Sequence, residues 1–398
     1  MADIATPTLD DPKDSWLVYA DALQSAGDAR GELIMLSAAV ADGSGSSDRD
    51  AYLERHADEL FGSLAPHRAK LDIDWQWCVP RVLSVEIEPQ DDAKALVQAV
   101  LDSPLGTTMQ TLRIVAQTPR LKRVELGPAL GRVSEQLPPS CTGLELIDAR
   151  AKQSRILVSS DYDPGRNLVE FGSLNMLWAI PHLQKLHLYV ADTAQIKLGK
   201  IDAPQLRDFA LLGLRWAEPY GGPTSMSEAF AAASWPKLER LALRIPETLT
   251  YSWPDQYGAY VPVDRYEEEN EYYEDYGDDG WGEPIDWSAE LGGLLDSLKK
   301  TEIEQLSLTS FASSAQLLEA LETHGLPATL ETLDLSESDL SDEDAGWIAA
   351  HARLFAGLKT LDLRDTLIQN PDPLEALAPE VLHSAGGGAI YRFAVGME

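Results

Sequence analysis

An α/β solenoid, with parallel strands on a concave face and helices outside, is the fold class that this sequence predicts. Two adjacent stretches and a set of weaker copies upstream predict it. In LETLDLSESDLSDEDAGWIAAHARLFAGLKTLDLRDTLI, from Leu330 to Ile368, the apolar positions Leu330, Leu333, Leu335 and Leu340 return as Leu358, Leu361, Leu363 and Ile368. The period from Leu330 to Leu358 is 28 residues, at the long end of the leucine-rich repeat range, where each repeat carries a strand and a helix. Within LETLDL apolar and polar residues alternate, as in a half-buried strand. Leu330, Leu333 and Leu335 should point into the solenoid, and Thr332, Asp334 and Ser336 onto its concave face. The strand ends in SESDLSDED, where Ser341 or Asp342 can cap a helix and Glu343 and Asp344 favour its positive end. That helix should run through Trp347, Ile348, His351 and Phe355 to a stop at Gly357. One such unit cannot bury its own apolar face, so neighbours must stack.

The chain opens with a helical cap, expected over residues 1–70. Two helices fill residues 11–41, with Trp16, Leu17, Ala20 and Leu23 on one apolar face, a break at Gly27 and Asp28, and Leu33, Ile34 and Leu36 beyond it. The GSGSS run from Gly43 to Ser47 predicts a flexible connection. A third helix is expected from about Asp48 to Leu64, burying Tyr52, Leu53, Ala57, Leu60 and Phe61. From about residue 71 to 398 the pattern is an irregular repeat domain. Its strands are expected at Val82 to Ile87, Leu112 to Val115, Leu121 to Leu126, Leu144 to Ile147, Leu183 to Leu188, Leu206 to Leu211, Leu238 to Leu243 and Ile303 to Leu308. Ile156 to Val158 with Leu168 to Phe171 suggests an extra hairpin.

Between Leu243 and Ile303 the repeat is interrupted by an insertion at about 246–286. From Asp264 to Glu283 ten acidic residues stand against the single Arg265. A like-charge run is usually a solvated loop, but Tyr266, Tyr272, Tyr273, Tyr276 and Trp281 are interleaved with acids such as Glu267, Glu268 and Glu269. Disordered solubilising segments are poor in aromatics, whereas tyrosine and tryptophan anchor interfaces.

The N-terminal letters carry a resemblance. The run LVYADALQSAGDARGELIMLSAA, followed by WQWCVPRVLSVEI, resembles the bacterial repeat-companion domain that precedes leucine-rich repeats. The matching positions are Leu17, Tyr19, Ala20, Asp21, Leu23, Gly27, Asp28, Arg30, Gly31, Glu32 and Leu36, then Trp75 and Trp77. The chain departs at Ala22, where the family usually carries tryptophan, and at Cys78 to Pro80, where it usually has a Gly-Phe pair. The resemblance implies a bacterial origin and this architecture, and transfers no catalytic residue. In repeat length and charge the array also resembles ribonuclease-inhibitor-type repeats.

Charge bounds the partners. With 65 acidic and 32 basic residues, the net charge is −33. Phosphate binding needs a basic stripe, so nucleic acid is not an expected ligand; a basic protein is. The start MADIATPTLDDPKD lacks a signal peptide's basic and apolar regions, and no run approaches the length of a membrane helix. With only Cys78 and Cys141, a reducing, cytoplasmic setting is expected.

Catalytic and metal signatures are weak. Asp275, Asp279, Gly280 and Asp286 sit at calcium-loop offsets, but Gly277 and Pro284 interrupt the pattern. The seven histidines show no paired ligand spacing, the cysteines no CxxC, and there is no phosphate loop. No metal, cofactor or catalytic residue is therefore assigned. The expected function is non-catalytic protein binding. The concave face would contribute Lys185, His187, Tyr189, Arg240, Arg244, Asp334, Asp362 and Arg364, together with Asp208, Ala210, Gln305, Ser307, Thr309 and Thr360. The acidic aromatic loop would contribute Tyr266, Tyr272, Tyr273, Tyr276, Trp281 and Glu267 to Glu269. The alternatives are an inhibitor or immunity protein against a basic toxin or nuclease, and an enzyme with a site in the irregular 121–171 region.

Overall fold

The computed structural model describes residues 6–117, 123–149, 169–190, 195–213, 225–244, 286–311 and 314–385. The N-terminal part holds α1 (Lys13–Ser25), α2 (Ala29–Ala41), α3 (Ser46–Arg55), α4 (Ala57–Phe61) and a 3-10 stretch over Gly62–Lys70. Asp28 starts α2 by accepting a hydrogen bond from Arg30 N at 2.9 Å, the cap its side chain predicts. α1 and α2 approach so closely that a Cβ on Gly31 would lie 2.7 Å from the Ala20 carbonyl oxygen. The GSGSS run is a defined turn rather than a loose connection. Gly43 and Gly45 take φ of +87° and +76°, which glycine adopts without steric cost, and α3 begins at once. The single helix expected from Asp48 to Leu64 is broken at His56 and Gly62, yet Leu53, Leu60 and Phe61 are buried as predicted.

The strands follow: β1 (Leu71–Gln76), β2 (Val79–Ile87), β3 (Thr111–Ala116), β4 (Val124–Glu125), β5 (Gly143–Asp148), β6 (Val169–Ser173), β7 (Lys185–Tyr189), β8 (Gln195–Lys197), β9 (Asp208–Leu212), β10 (Arg240–Arg244), β11 (Gln305–Thr309), β12 (Thr332–Asp334), β13 (Thr360–Thr366) and β14 (Glu380–Ala385). Between them lie α5 (Ala93–Asp102), α6 (Gly127–Gln136), α7 (Asn175–Trp178), α8 (Ser225–Ala231), α9 (Trp287–Leu298), α10 (Ser314–His324), α11 (Asp342–Ala350) and α12 (Ala352–Phe355). Among the described residues the main sheet has the order β1-β2-β3-β5-β7-β9-β10-β11-β12-β13-β14. Every pairing from β2 onward is parallel, and only β1 to β2 is antiparallel. Strands that add in chain order, each returning through a helix or turn, make a leucine-rich repeat solenoid.

Register explains why the leucines recur. Leu186, Phe209, Leu241, Leu306, Leu333 and Leu361 form one row across β7 to β13, each at most 1% exposed. Leu330, Leu335, Leu340, Leu358, Leu363 and Ile368 are buried too. Behind the sheet, Phe209, Phe230 and Trp235 pack ring against ring at 5.9 to 6.3 Å. A single apolar core runs from Trp16 to Leu374. The N-terminal helices join it through Trp16, stacked on Trp77 at 6.0 Å, and Phe61, edge-on to Trp75 at 6.5 Å. Ser341 caps α11 in a reciprocal box with Asp344. The helix expected to run to Gly357 breaks at His351, whose ring stacks on Trp347 at 3.9 Å.

Two strand expectations are corrected. Within Leu121 to Leu126 only Val124–Glu125 is a described strand, and it belongs to a second sheet ordered β4-β6-β8. Leu168 to Phe171 was expected as a hairpin arm; β6 instead lies between β4 and β8, parallel to both. Its alternation is that of a second short strand set down after the main one, a pattern that a hairpin arm shares. Ile156 to Val158 lie outside the described residues. β1 and β14, which the repeat pattern does not contain, close the two ends of the main sheet.

The chain leaves several strands through a left-handed residue. Gly213, Ser310, Glu337 and Asp365 occupy equivalent positions with φ of +101°, +65°, +58° and +58°. Gly213, Ser310 and Glu337 donate their N–H to the carbonyl of Arg244, Ser336 and Arg364 on the next strand out. Only the first is glycine, and left-handed geometry costs other residues about 1–2 kcal/mol. Asp365 is the exposed case. Asp365→Gly is expected to raise stability by about 0.5–1 kcal/mol, less than the strain because glycine loses more entropy on folding; thermal melting measures it.

Candidate protein-recognition face

Alternation along each strand sends every second side chain away from the helices. The resulting open face has three rows set by register. The first runs Lys185, Asp208, Arg240, Gln305, Thr332, Thr360 and Glu380. The second runs Ser84, Arg113, Glu145, His187, Ala210, Ala242, Ser307, Asp334 and Asp362. The third begins Glu86, Val115, Ile147, Tyr189, Leu212, Arg244 and Thr309, and Arg364 holds the same position in β13. Lys185, His187, Tyr189, Arg240, Arg244, Asp334, Asp362 and Arg364 therefore share one face.

The cations on this face are held by carboxylates of the same chain. Glu145, 5% exposed, accepts from Arg113 Nε at 2.7 Å and from Lys185 Nζ at 2.7 Å. Asp208 takes His187 Nε2 at 2.9 Å and the Arg240 guanidinium at 3.1 Å; because an ionised carboxylate only accepts, the His187 ring nitrogen is the donor. Arg244 pairs with Glu337 at 2.5 Å and donates to Ser310 Oγ at 3.1 Å. Arg364 closes on Asp362 at 2.5 Å. Burial pushes the Glu145 carboxyl up, but the hydrogen bonds from Lys185 and Arg113 outweigh it and hold the group below the usual range. Burial likewise raises Asp208, and His187, Arg240 and Lys185 bring it down further than that. Oriented ion pairs of this kind fix side chains and set specificity more than they add affinity.

The rows also place the charge. Arg113, Lys185, Arg240, Arg244 and Arg364 stand against Glu86, Glu145, Asp208, Asp334, Asp362 and Glu380, so this face is close to neutral in a chain of net charge −33. Across its middle the third row is apolar. Val115 and Ile147 are 8% and 1% exposed, while Tyr189 and Leu212 are half-buried. Tyr189 meets the His187 ring edge-on at 6.2 Å, and burial together with Glu145 pushes its hydroxyl up. Arg113, Glu145, Val115 and Ile147 are absent from the sequence-based choice. Extending the alternation of Leu112 and Ile114, and of Leu144 and Leu146, would have found them.

The loop residues Tyr266, Tyr272, Tyr273, Tyr276, Trp281, Glu267, Glu268 and Glu269 lie outside the described residues, as do Asp275, Asp279 and Gly280. Asp286 caps α9 by accepting from Ala289 N at 3.0 Å. Burial pushes the Cys78 thiol up to about 11 and the Cys141 thiol up to about 12, which keeps both protonated and poor as nucleophiles. Among the described residues no group of three or more His, Cys, Asp or Glu is placed to hold a metal ion, and no helix is long and apolar enough to cross a membrane. In the irregular 121–171 region, the buried carboxylate Glu145 is engaged by its two cations.

No protein-family model and no curated protein sequence matches the chain. Among solved structures, a Bacteroides fragilis protein is 18% identical, with a TM-score of 0.49, and the match covers 74% of this chain and 70% of that one. Internalin C2 of Listeria monocytogenes is 16% identical, with a TM-score of 0.24, covering 53% of this chain and 76% of its own. The internalin InlF of the same organism is 13% identical, with a TM-score of 0.24 and coverage of 82% and 94%.

Proposed function

We propose that this chain is a non-catalytic scaffold that binds a basic protein partner. The observation that carries this reading is the open face itself: three registered rows of side chains, cross-braced by ion pairs, with the half-buried Tyr189 and Leu212 at its middle. Such a surface is rigid and mixed in character, as specific protein recognition requires. Its near-neutrality divides the work. The face supplies shape and anchors, with Tyr189 and the partly exposed Arg240 and Arg364 foremost. The acidic surplus elsewhere, concentrated in the ten carboxylates of Asp264 to Glu283, supplies long-range attraction. Tyr272, Tyr273 and Trp281 add aromatic anchors within that segment.

The test is to replace Asp264 to Glu283 by a short Gly-Ser connector and to titrate salt against the complex recovered from the native cell. The parent complex should weaken as salt screens exposed charge, on a scale of about 10 Å at 0.1 M. The replacement should melt like the parent, bind more weakly and lose most of the salt dependence. Tyr272→Ala, Tyr273→Ala and Trp281→Ala should each cost ~2 kcal/mol or more of affinity at constant net charge. Equal affinity and salt slope in parent and replacement would restrict recognition to the open face.

A further inference from the structure

His187 stands in the middle row of the open face, between Glu145 on β5 and Ala210 on β9, and it is the one histidine of the chain's seven that lies in the three rows. Its side chain is only 16% exposed, and that of its partner Asp208 17%. Nε2 meets the Asp208 carboxylate at 2.9 Å, while Nδ1 has no hydrogen-bond partner among the described residues. That division decides what a proton does here. A neutral ring with its hydrogen on Nε2 and a charged ring both donate to Asp208, so a proton taken up at Nδ1 adds charge and leaves the bond in place. The charge of the face can change while its geometry stays.

The charges around the ring are unevenly matched. Its own strand brings Lys185 and Tyr189; β5 brings Glu145, which also holds Arg113 of β3; and β9 brings Asp208, which also holds Arg240 of β10. Three cations thus face two carboxylates before the ring is counted. A proton on it raises the local surplus from one positive charge to two. Although burial raises both carboxyls, the hydrogen bonds and charges of these partners hold Glu145 and Asp208 below their ordinary values. Both therefore stay ionised across the range, about pH 5 to 8, in which histidine changes charge. No other residue type in the rows has its ordinary value there. The ring also meets Tyr189 edge-on at 6.2 Å, so its charge falls beside one of the anchors of the face.

We infer that His187 is a proton-operated release for the partner: acidification charges the ring, adds positive charge beside Tyr189 and Arg240, and loosens a surface rich in Lys and Arg. This regulation rests on the reading of the open face as the seat of a basic protein. Linkage makes the effect reciprocal, because a partner cation seated near the ring disfavours its protonation and so expels a proton on binding. A ring that served only to brace β7 against β9 would behave differently. It would hold Asp208 in either protonation state and leave binding independent of pH.

The probe is a phage-displayed library of random dodecapeptides panned on the full-length protein at about pH 7.5. Enriched peptides that contain no histidine and lose binding to Tyr189→Ala report on the face. Each is then measured at about pH 7.5 and about pH 5.5 on the parent, His187→Gln and His187→Arg. The peptides should carry Lys or Arg and bind the parent about tenfold more weakly at the lower pH, the scale of one added charge felt at about 10 Å near a protein surface. Gln keeps an N–H donor for Asp208 with no charge to gain, and Arg is charged throughout. Both variants should therefore show an affinity ratio near one between the two pH values. Calorimetry at about pH 6.5, in buffers of different ionisation enthalpy, should show a proton released on binding to the parent and none with either variant. The proton count on the parent needs no substitution, so it decides the case even where a variant disturbs the sheet. Equal affinity at the two pH values in the parent, no proton released, or the same pH response in His187→Gln overturns this inference and leaves the basic-partner reading standing. An absence of enrichment, or face-binding peptides without Lys or Arg, overturns both.

Discussion

Leu361→Asp should unfold the C-terminal repeats at ambient temperature. Leu361 is fully buried between Leu333 and Val381 in the inward row of the sheet. A carboxylate there has no cation within the row, and burying it unpaired costs several kcal/mol. That is a large part of the ~5–15 kcal/mol by which domains are stable. Because each repeat contacts only its neighbours, the loss should propagate along the array from β13 toward both β12 and β14. Urea denaturation followed by circular dichroism would show an early transition of reduced amplitude. A variant that melts with the parent would mean that Leu361 does not face the interior, and the repeat register would fall with it.

The second large effect is expected at Glu145. Glu145→Ala leaves Arg113 on β3 and Lys185 on β7 facing one another across the vacated position, two like charges whose common counterion has gone. Breaking a buried pair costs ~3–5 kcal/mol. Here both cations are about one-third exposed and can turn toward water, so ~2 kcal/mol is the expected loss. The pH profile separates charge from packing. The Glu145 and Asp208 carboxyls are held below their ordinary values in the folded chain. Each therefore adds stability that is fully present above the unfolded value of about 4, and that is lost as the pH falls through the lower folded value. Glu145→Gln should flatten the decline of stability below about pH 4. A profile parallel to the parent's would show that the network contributes no charge-dependent stability.

The C-terminal repeats were legible because their apolar positions keep one spacing through strand and helix alike; all eight of the leucine and isoleucine positions first picked out are buried. The earlier strands were legible in place but not in rank. Short second strands such as β6 carry the same alternation as the main ones, and only the partner of a strand tells which sheet it joins. β14 was missed because EVLHSA lacks the leucine spacing. β1 was missed because its signal merges with the WQWC turn, where Trp77 takes φ +59°. For the candidate site, strand alternation named the outward residues of β7 to β13 correctly. It did not reveal that they are paired. Glu145 meets a lysine 40 positions away and Arg244 a glutamate 93 positions away, and such contacts exist only once register is set. The mixed charge read along the sequence is thus an internal brace, and the open face is more neutral than the composition implies.

Hydroxyl-radical footprinting of the partner complex tests the central claim most directly. The account predicts that Tyr189, Leu212 and the β7, β9 and β10 segments around Arg240 and Arg244 lose reactivity on binding, while Met35, Met176 and the helix side of the array react as in the free chain. Protection confined to the helix side, with Tyr189 as reactive in the complex as alone, would contradict it.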